Sequence, residues 1–239
     1  MAVPSPELIY CAGGNRQFAR IAVNAGFRYG AQLPDTVYTD IAPLWFADQD
    51  WRKPNREAYM VRLAEYRPVQ ATVLDLEDAD QLSEVLDWAE QAAQYIERVV
   101  IIPKVFGIVP RIPEHIGASD VVLGYSVPTR YAGTQVPVWE FAGRPVHLLG
   151  GGPQAQMRLA HYMNVVSADG NMTNLMATRY CQFWTPGSSR YARNRWWPTL
   201  KEANGGAAWG DGSNKADAPY EAFRRSCANI IAAWRELYA

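Results

Sequence analysis

The stretch TVLDLEDADQLSEVLDWAEQAAQYIERVVIIPK (residues 72–104) carries the pattern on which the fold turns. It opens on one short apolar run, TVLDLE (72–77), and closes on another, VVIIPK (99–104). Between them Leu82, Val85, Leu86, Ala89, Ala93 and Ile96 recur three or four apart, the stripe of a helix lying on a sheet. Asp78 followed by Gln81 resembles a capping box, so a helix is expected over about 78–96. A strand, a crossover helix and a second strand make a right-handed parallel unit.

The same alternation extends in both directions. Further apolar runs are LIYCAG (8–13), RYGAQL (28–33), LWFADQ (44–49), VVLGYS (121–126), VHLLGG (146–151) and VVSADG (165–170), eight runs in all. Continuous apolar runs of this length suit strands buried on both faces. Helices are expected over 15–25, from Pro54 to about Glu65, from Pro153 to Met163 and over 219–238. The last carries Tyr220, Phe223, Cys227, Ile230, Ile231, Trp234 and Leu237 on one face. Segments 34–43 and 105–120 are too short or too rich in proline for a full helix, and VPVWEFAGRP reads as an added β-ribbon. The expected fold is α/β, a (β/α)8 TIM-like barrel with some helices missing, and an open sheet is the alternative. Residues 1–170 form the barrel. Residues 171–239 form a segment packed on it within one domain, irregular over 171–217 apart from its terminal helix.

Composition narrows the function. The chain has 239 residues, 49% apolar and 20% charged, the balance of a globular protein. No apolar run approaches the ~20 residues of a membrane span, and the start MAVPSPELIY lacks the pattern of a secretory signal. Cys11, Cys181 and Cys227 are widely separated, which argues for reduced thiols and a cytoplasmic setting. With His115, His147 and His161 equally scattered, neither a metal site nor a cofactor is expected. Residues 178–239 hold nine Arg or Lys against five Asp or Glu, whereas the rest of the chain is net acidic. A basic tail on an acidic body points to a polyanion as partner.

Three of the runs end in a carboxylate: Asp48 in LWFADQDW, Asp75 in TVLDLED and Asp169 in VVSADGN. In a parallel barrel those ends converge on one mouth. One carboxylate can attack an anomeric carbon while another handles protons, the chemistry of breaking a sugar–base or sugar–sugar bond. Any one of them alone reads equally as a helix cap or loop acid. Gly124 and the run Gly150–Gly152 allow backbone to approach a ligand or serve tight turns. Lys104 faces a phosphate or snorkels at the rim. Within 178–201, Arg179, Arg190, Arg193, Arg195 and Lys201 stand with no acid among them, interleaved with aromatics that include Trp196 and Trp197. Arginines neutralise phosphates and aromatic faces stack on bases, which suits a nucleic-acid strand. The competing reading has the tryptophans in the core.

The order of these strand ends resembles the tRNA-guanine transglycosylase superfamily, and more closely its phage and bacterial branch that places 7-deazaguanine bases in DNA. The correspondence runs through Asp48 in FADQDW, Asp75 in LDLED, Gly124 in VVLGYS, Gly150 and Gly151 in HLLGGGP, and Asp169 in VVSADGN. It covers roughly residues 8–170. The resemblance implies a barrel enzyme in which Asp169 attacks C1′, guanine leaves, and a 7-deazaguanine displaces the carboxylate. Asp48 then serves as general acid/base or alternate nucleophile. Asp75 and Glu77 read the base edge, with Lys104, Gly124, Gly150 and Gly151 around it. The departures are Lys104 where the family has glutamine, FADQDW without the usual small residues, and no zinc ligands after the nucleophile. The missing zinc ligands favour DNA over tRNA, in a host cytoplasm if the protein is phage-encoded. A homo-oligomer or a partner subunit stays open. So do a barrel N-glycosidase or glycoside hydrolase with a small substrate, and a non-catalytic nucleic-acid-binding subunit.

Overall fold

A computed structural model describes residues 5–11, 13, 15–130, 133–187, 196–206 and 216–239. Nine strands form in chain order: β1 (Glu7–Tyr10), β2 (Arg28–Leu33), β3 (Phe46–Gln49), β4 (Gln70–Thr72), β5 (Arg98–Ile101), β6 (His115–Ile116), β7 (Ser119–Ser126), β8 (Pro145–Leu149) and β9 (Asn164–Asp169). Every neighbouring pair among β1–β5 and β7–β9 is parallel. The β1–β9 and β5–β7 pairings close the eight into a barrel. Closure removes every edge within that set, which an open sheet would have left exposed. The two-residue β6 hangs outside, antiparallel to β7.

Helices cover the barrel where the sequence carries an apolar stripe. They are α1 (Arg16–Ala25), α2 (Arg56–Tyr66), α3 (Leu82–Ala92), α4 (Pro153–Leu159), α5 (Met172–Tyr180), α6 (Leu200–Ala203) and α7 (Ala218–Leu237). The Asn15 side chain accepts from the N–H groups of Gln17 and Phe18 to start α1, and Gly26 at φ 110° ends it. The Asp78–Gln81 capping box forms, on a 3-10 turn that leads into α3. On α7, Phe223, Cys227, Ile230 and Trp234 are buried, and Phe223 meets Phe18 and Tyr10 edge-on at 4.9 and 5.6 Å. The C-terminal helix thus packs on β1 and α1.

Four expectations need correction. The ladder of β4 ends at Thr72, so Asp75 stands beyond it, in an extended segment tied to β5 through Leu76 and Pro103. The VPVWEFAGRP segment is a 3-10 turn over Val138–Phe141, not a ribbon. Pro137 lacks the N–H a ladder needs, and Phe141 is buried edge-on against Tyr125 at 5.1 Å. Residues 172–180 are helical although only Thr173 and Ala177 are buried there, too small an apolar stripe to register as periodicity. The tryptophan segment is ordered core on its described residues. Phe183 and Thr185 N–H donate to the carbonyls of Pro198 and Trp196, and Phe183, Trp184, Trp197 and Leu200 are buried.

Candidate active site

Side chains two apart on a strand share a face, so each interior position dictates the next one toward the mouth. Ile9, Phe46, Val100, Ile102 and Val122 fill the barrel's interior. Two residues beyond Ile9 comes Cys11, and two beyond Phe46 comes Asp48. Gln70 leads to Thr72, and Ser167 to Asp169. The interior alternation of the strands therefore delivers both carboxylates to the axis at the C-terminal end. Asp48, Asp75 and Asp169 line one cavity of about 500 Å3, with Cys11, Gln49, Trp51, Glu77, Lys104 and Gly150 also on its walls.

Asp48 accepts from the Thr72 hydroxyl at 3.0 Å, and Thr72 Oγ1 accepts in turn from the Gln49 N–H at 2.7 Å. Tyr59, wholly inside on α2, donates its hydroxyl to the carbonyls of Thr72 and Ala47 and so pins the ends of β3 and β4 together. Burial, with the charge of Asp169 behind it, pushes the Asp48 carboxyl up to about 7 despite the Thr72 hydrogen bond. The same causes, burial first and then Asp48 and Asp169, hold the Cys11 thiol well above its ordinary range. Cys11 is therefore a neutral thiol in this setting.

Two groups face the Asp169 carboxylate. The Gly150 N–H lies 3.3 Å from its Oδ1, and Gly150 sits at φ 70°, a left-handed turn that glycine adopts freely. Beneath it, His147 Nε2 lies 3.5 Å from the same oxygen. His147 is fully buried, lies tilted against the Phe46 ring with centroids 4.9 Å apart, and has Nδ1 2.8 Å from Ser167 Oγ, which Gln70 also bonds. A β-bulge opposite Val146 and His147 skips Val166 and turns Ser167 inward beside the imidazole.

On the wall between Asp48 and β7, Lys104 Nζ pairs with Asp75 Oδ2 at 3.3 Å, both side chains 16% exposed. Burial raises the Asp75 carboxyl while Lys104 partly offsets it. Glu77 lines the same wall.

The remaining site expectations fare differently. Gly124 lies below the cavity floor: a Cβ there would come within 2.5 Å of Ile102 and 2.9 Å of Leu149, so its smallness serves interior packing. Gly151, at φ 73°, likewise makes room for Val127. Trp197 is 7% exposed, which takes its ring out of reach of a base. Trp196 is half-buried, stacked on Trp184 at 6.4 Å. Arg179 is exposed on the last turn of α5. Arg190, Arg193 and Arg195 lie outside the described residues. Sequence reasoning missed His147, Ser167, Gln70 and Thr72, whose polar side chains at interior positions of apolar strands were the available signal.

A family model described as a family of unknown function (DUF6610) matches residues 19–235. The chain belongs to that family. The matched span of DUF6610 takes in all three mouth aspartates, Lys104 and His147, and stops short of β1 with Cys11. No curated protein matches the chain. Among the described residues no helix is long and apolar enough to cross a membrane, and no three His, Cys, Asp or Glu side chains are grouped to hold a metal ion.

Proposed function

We propose that this protein is a base-exchanging transglycosylase that replaces guanine in DNA with a 7-deazaguanine base through a covalent aspartyl–sugar intermediate. The observation that carries the reading is the pairing of two unlike carboxylates, Asp48 and Asp169, over one cavity whose wall bears the Asp75–Lys104 pair. Two carboxyl groups whose surroundings differ divide naturally into acid and nucleophile.

In this mechanism Asp169, aimed by Gly150 and His147, attacks C1′. The C1′–N9 bond breaks, an ester forms between C1′ and the carboxylate, and Asp48 gives its proton to N9. The buried Asp48, with its pKa near 7, is present in both acid and base forms at neutral pH and so can give that proton and take one back. In the second half the 7-deazaguanine gives the proton of its own ring nitrogen to Asp48 and displaces the Asp169 carboxylate from C1′. Protons balance over the cycle, and two easier displacements replace one hard one. A carboxylate also suits the positive charge that develops on the sugar.

Asp75 and Lys104 present acceptors beside a donor. A guanine-type edge offers the complement: O6 accepts from Lys104 while N1–H and the 2-amino group donate to Asp75, with Glu77 near. Adenine presents the opposite polarity and would set its 6-amino donor against Lys104 and its N1 acceptor against Asp75, a strong basis for rejection. The test is mass spectrometry of nucleosides from DNA incubated with the purified chain and a 7-cyano- or 7-aminomethyl-7-deazaguanine. The expected product is the deazaguanine nucleoside with release of free guanine. Hydrolysis of small nucleosides without base exchange would replace this reading with a glycosidase.

A further inference from the structure

Among the described residues, three exposed large apolar side chains sit on loops that leave the C-terminal ends of barrel strands. Trp51 (53% exposed) follows β3, Phe106 (67%) follows β5, and Trp139 (65%) follows β7. Those loops lie along one arc of the mouth, because β3, β4, β5 and β7 are consecutive in the barrel. Trp51 itself lines the cavity, and so do Lys104 and Gln135, near neighbours in sequence of Phe106 and Trp139. The latter two rings meet edge-on at 5.8 Å, and Glu140 fixes the pair by accepting the Gly107 N–H at 3.0 Å. Rings held this firmly in water are a platform awaiting a partner.

The β4 loop within that arc carries the exposed acids Glu77, Asp78 and Asp80, and the cations gather at its β3 end. Arg52 lies with its guanidinium 4.6 Å over the Trp51 ring, and its neighbour Lys53 is exposed. Neither cation pairs with a carboxylate among the described residues. Flat aromatic faces beside unpaired cations complement a chain of bases and phosphates. On the other side of the barrel α5 follows β9, packs on α7, and donates from Asn174 to the Tyr10 hydroxyl of β1 at 3.4 Å.

We propose that this arc is a nucleic-acid docking surface: Trp51 and the Phe106–Trp139 pair stack on unpaired bases, and Arg52 and Lys53 neutralise the phosphates beside the nucleotide that enters the cavity. This rests on the reading of the mouth as a nucleotide-processing site. It moves strand binding away from Trp197, which is core, to the rim itself.

The experiment is fluorescence anisotropy of a labelled guanine-containing single-stranded oligonucleotide at several salt concentrations, with thermal melts as the folding control. Arg52→Ala with Lys53→Ala should weaken binding and flatten the dependence of log K on log salt by about 1.4, at ~0.7 per single-strand phosphate. Phe106→Ala with Trp139→Ala should weaken binding at least about fivefold per base lost, with the salt slope unchanged. All four replaced positions are exposed to solvent, so melting temperatures should hold. Wild-type affinity in every variant, or no binding by the parent chain, overturns the proposal. So does a parent dimer that Phe106→Ala with Trp139→Ala splits without altering binding, which would assign the arc to a second copy of the chain. Binding needs no chemistry, so the two readings fail separately. Rim-dependent binding without base exchange removes the transglycosylase alone. Base exchange with unaltered binding in all rim variants removes the rim alone.

Discussion

His147 Nε2 stands 3.5 Å beneath Asp169 Oδ1, at the top of a buried chain that runs through Ser167 to Gln70. An imidazole with no exposure, held by Ser167 at one nitrogen, has its other nitrogen without a hydrogen-bond partner among the described residues, 3.5 Å from the Asp169 carboxylate. His147→Gln should therefore lower kcat by about 10- to 100-fold, the cost of a reacting group displaced by up to an ångström, while KM for the base changes little. Steady-state kinetics of the base-exchange reaction decide this. An equal loss in a variant whose melting temperature has collapsed would instead mark His147 as purely structural, and Ser167→Ala then separates the roles by disturbing the imidazole from below.

Asp169→Asn should abolish base exchange and leave the fold intact, because the amide keeps the shape of the carboxylate without its nucleophilicity. Trapping of a covalent sugar–protein adduct by mass spectrometry in the parent, and its absence in the variant, is the measurement. Normal incorporation by the Asn variant would remove Asp169 from the chemistry.

Asp48→Asn should cost at least ~10²-fold in rate, as expected for a general acid/base. It should also stabilise the protein in a pH-dependent way. The folded-state pKa of Asp48 is raised from 3.8 to about 7, so the native state binds its proton more tightly than the unfolded chain does. The contribution of Asp48 to stability is thus fully present below pH ~4 and is lost as pH rises through ~7. Asparagine carries no such loss. Its advantage should be near zero in acid and grow by roughly 1.4 kcal/mol per pH unit to a plateau of a few kcal/mol above neutrality. Denaturant titrations of both proteins at pH 4, 6 and 8 test the sign, and a constant difference across that range would contradict the raised pKa.

Lys104→Met should leave Asp75 buried without its cation. The Asp75 carboxyl would then rise further, and KM for the entering base should increase by tenfold or more as the donor to O6 disappears. An unchanged KM would detach the Asp75–Lys104 pair from base recognition.

Trp197→Ala should lower stability by ~3–5 kcal/mol, as for a large aromatic removed from a core, with little direct effect on DNA affinity. Joint replacement of Arg190, Arg193 and Arg195 by Ala should show the reverse, an unchanged melt with weaker DNA binding and a flatter salt slope. A triple variant with parental affinity and slope would withdraw the 178–201 segment from nucleic-acid binding.

Much of the architecture was legible in the chain. Eight apolar runs spaced by amphipathic stretches such as Leu82–Ile96 can be buried on both faces only in a parallel sheet, and the runs at 8–13 and 165–170 became the neighbours that close it. The strand-end aspartates were equally visible, because a carboxylate after an apolar run breaks the pattern. Residues 172–180 and the Val138–Phe141 turn were not, since a helix that buries only Thr173 and Ala177 leaves almost no periodic trace.

Sequence by itself determined the alternation of parallel strands with helices and the row of acids at the strand ends, since period and polarity are local properties of a chain. Only the tertiary structure decided what each residue does there. Closure of β5 on β7 and β1 on β9 brings Asp48 and Asp169 over one cavity, and burial with mutual repulsion then sets Asp48 near 7. A bulge in β9 aligns Ser167 with His147, whose partners lie 20 and 77 residues away. The space at Gly124 is taken by Ile102 and Leu149, and Trp197 is claimed by the core. Burial and through-space charge arise between residues distant along the chain, and no reading of their sequence neighbours contains them.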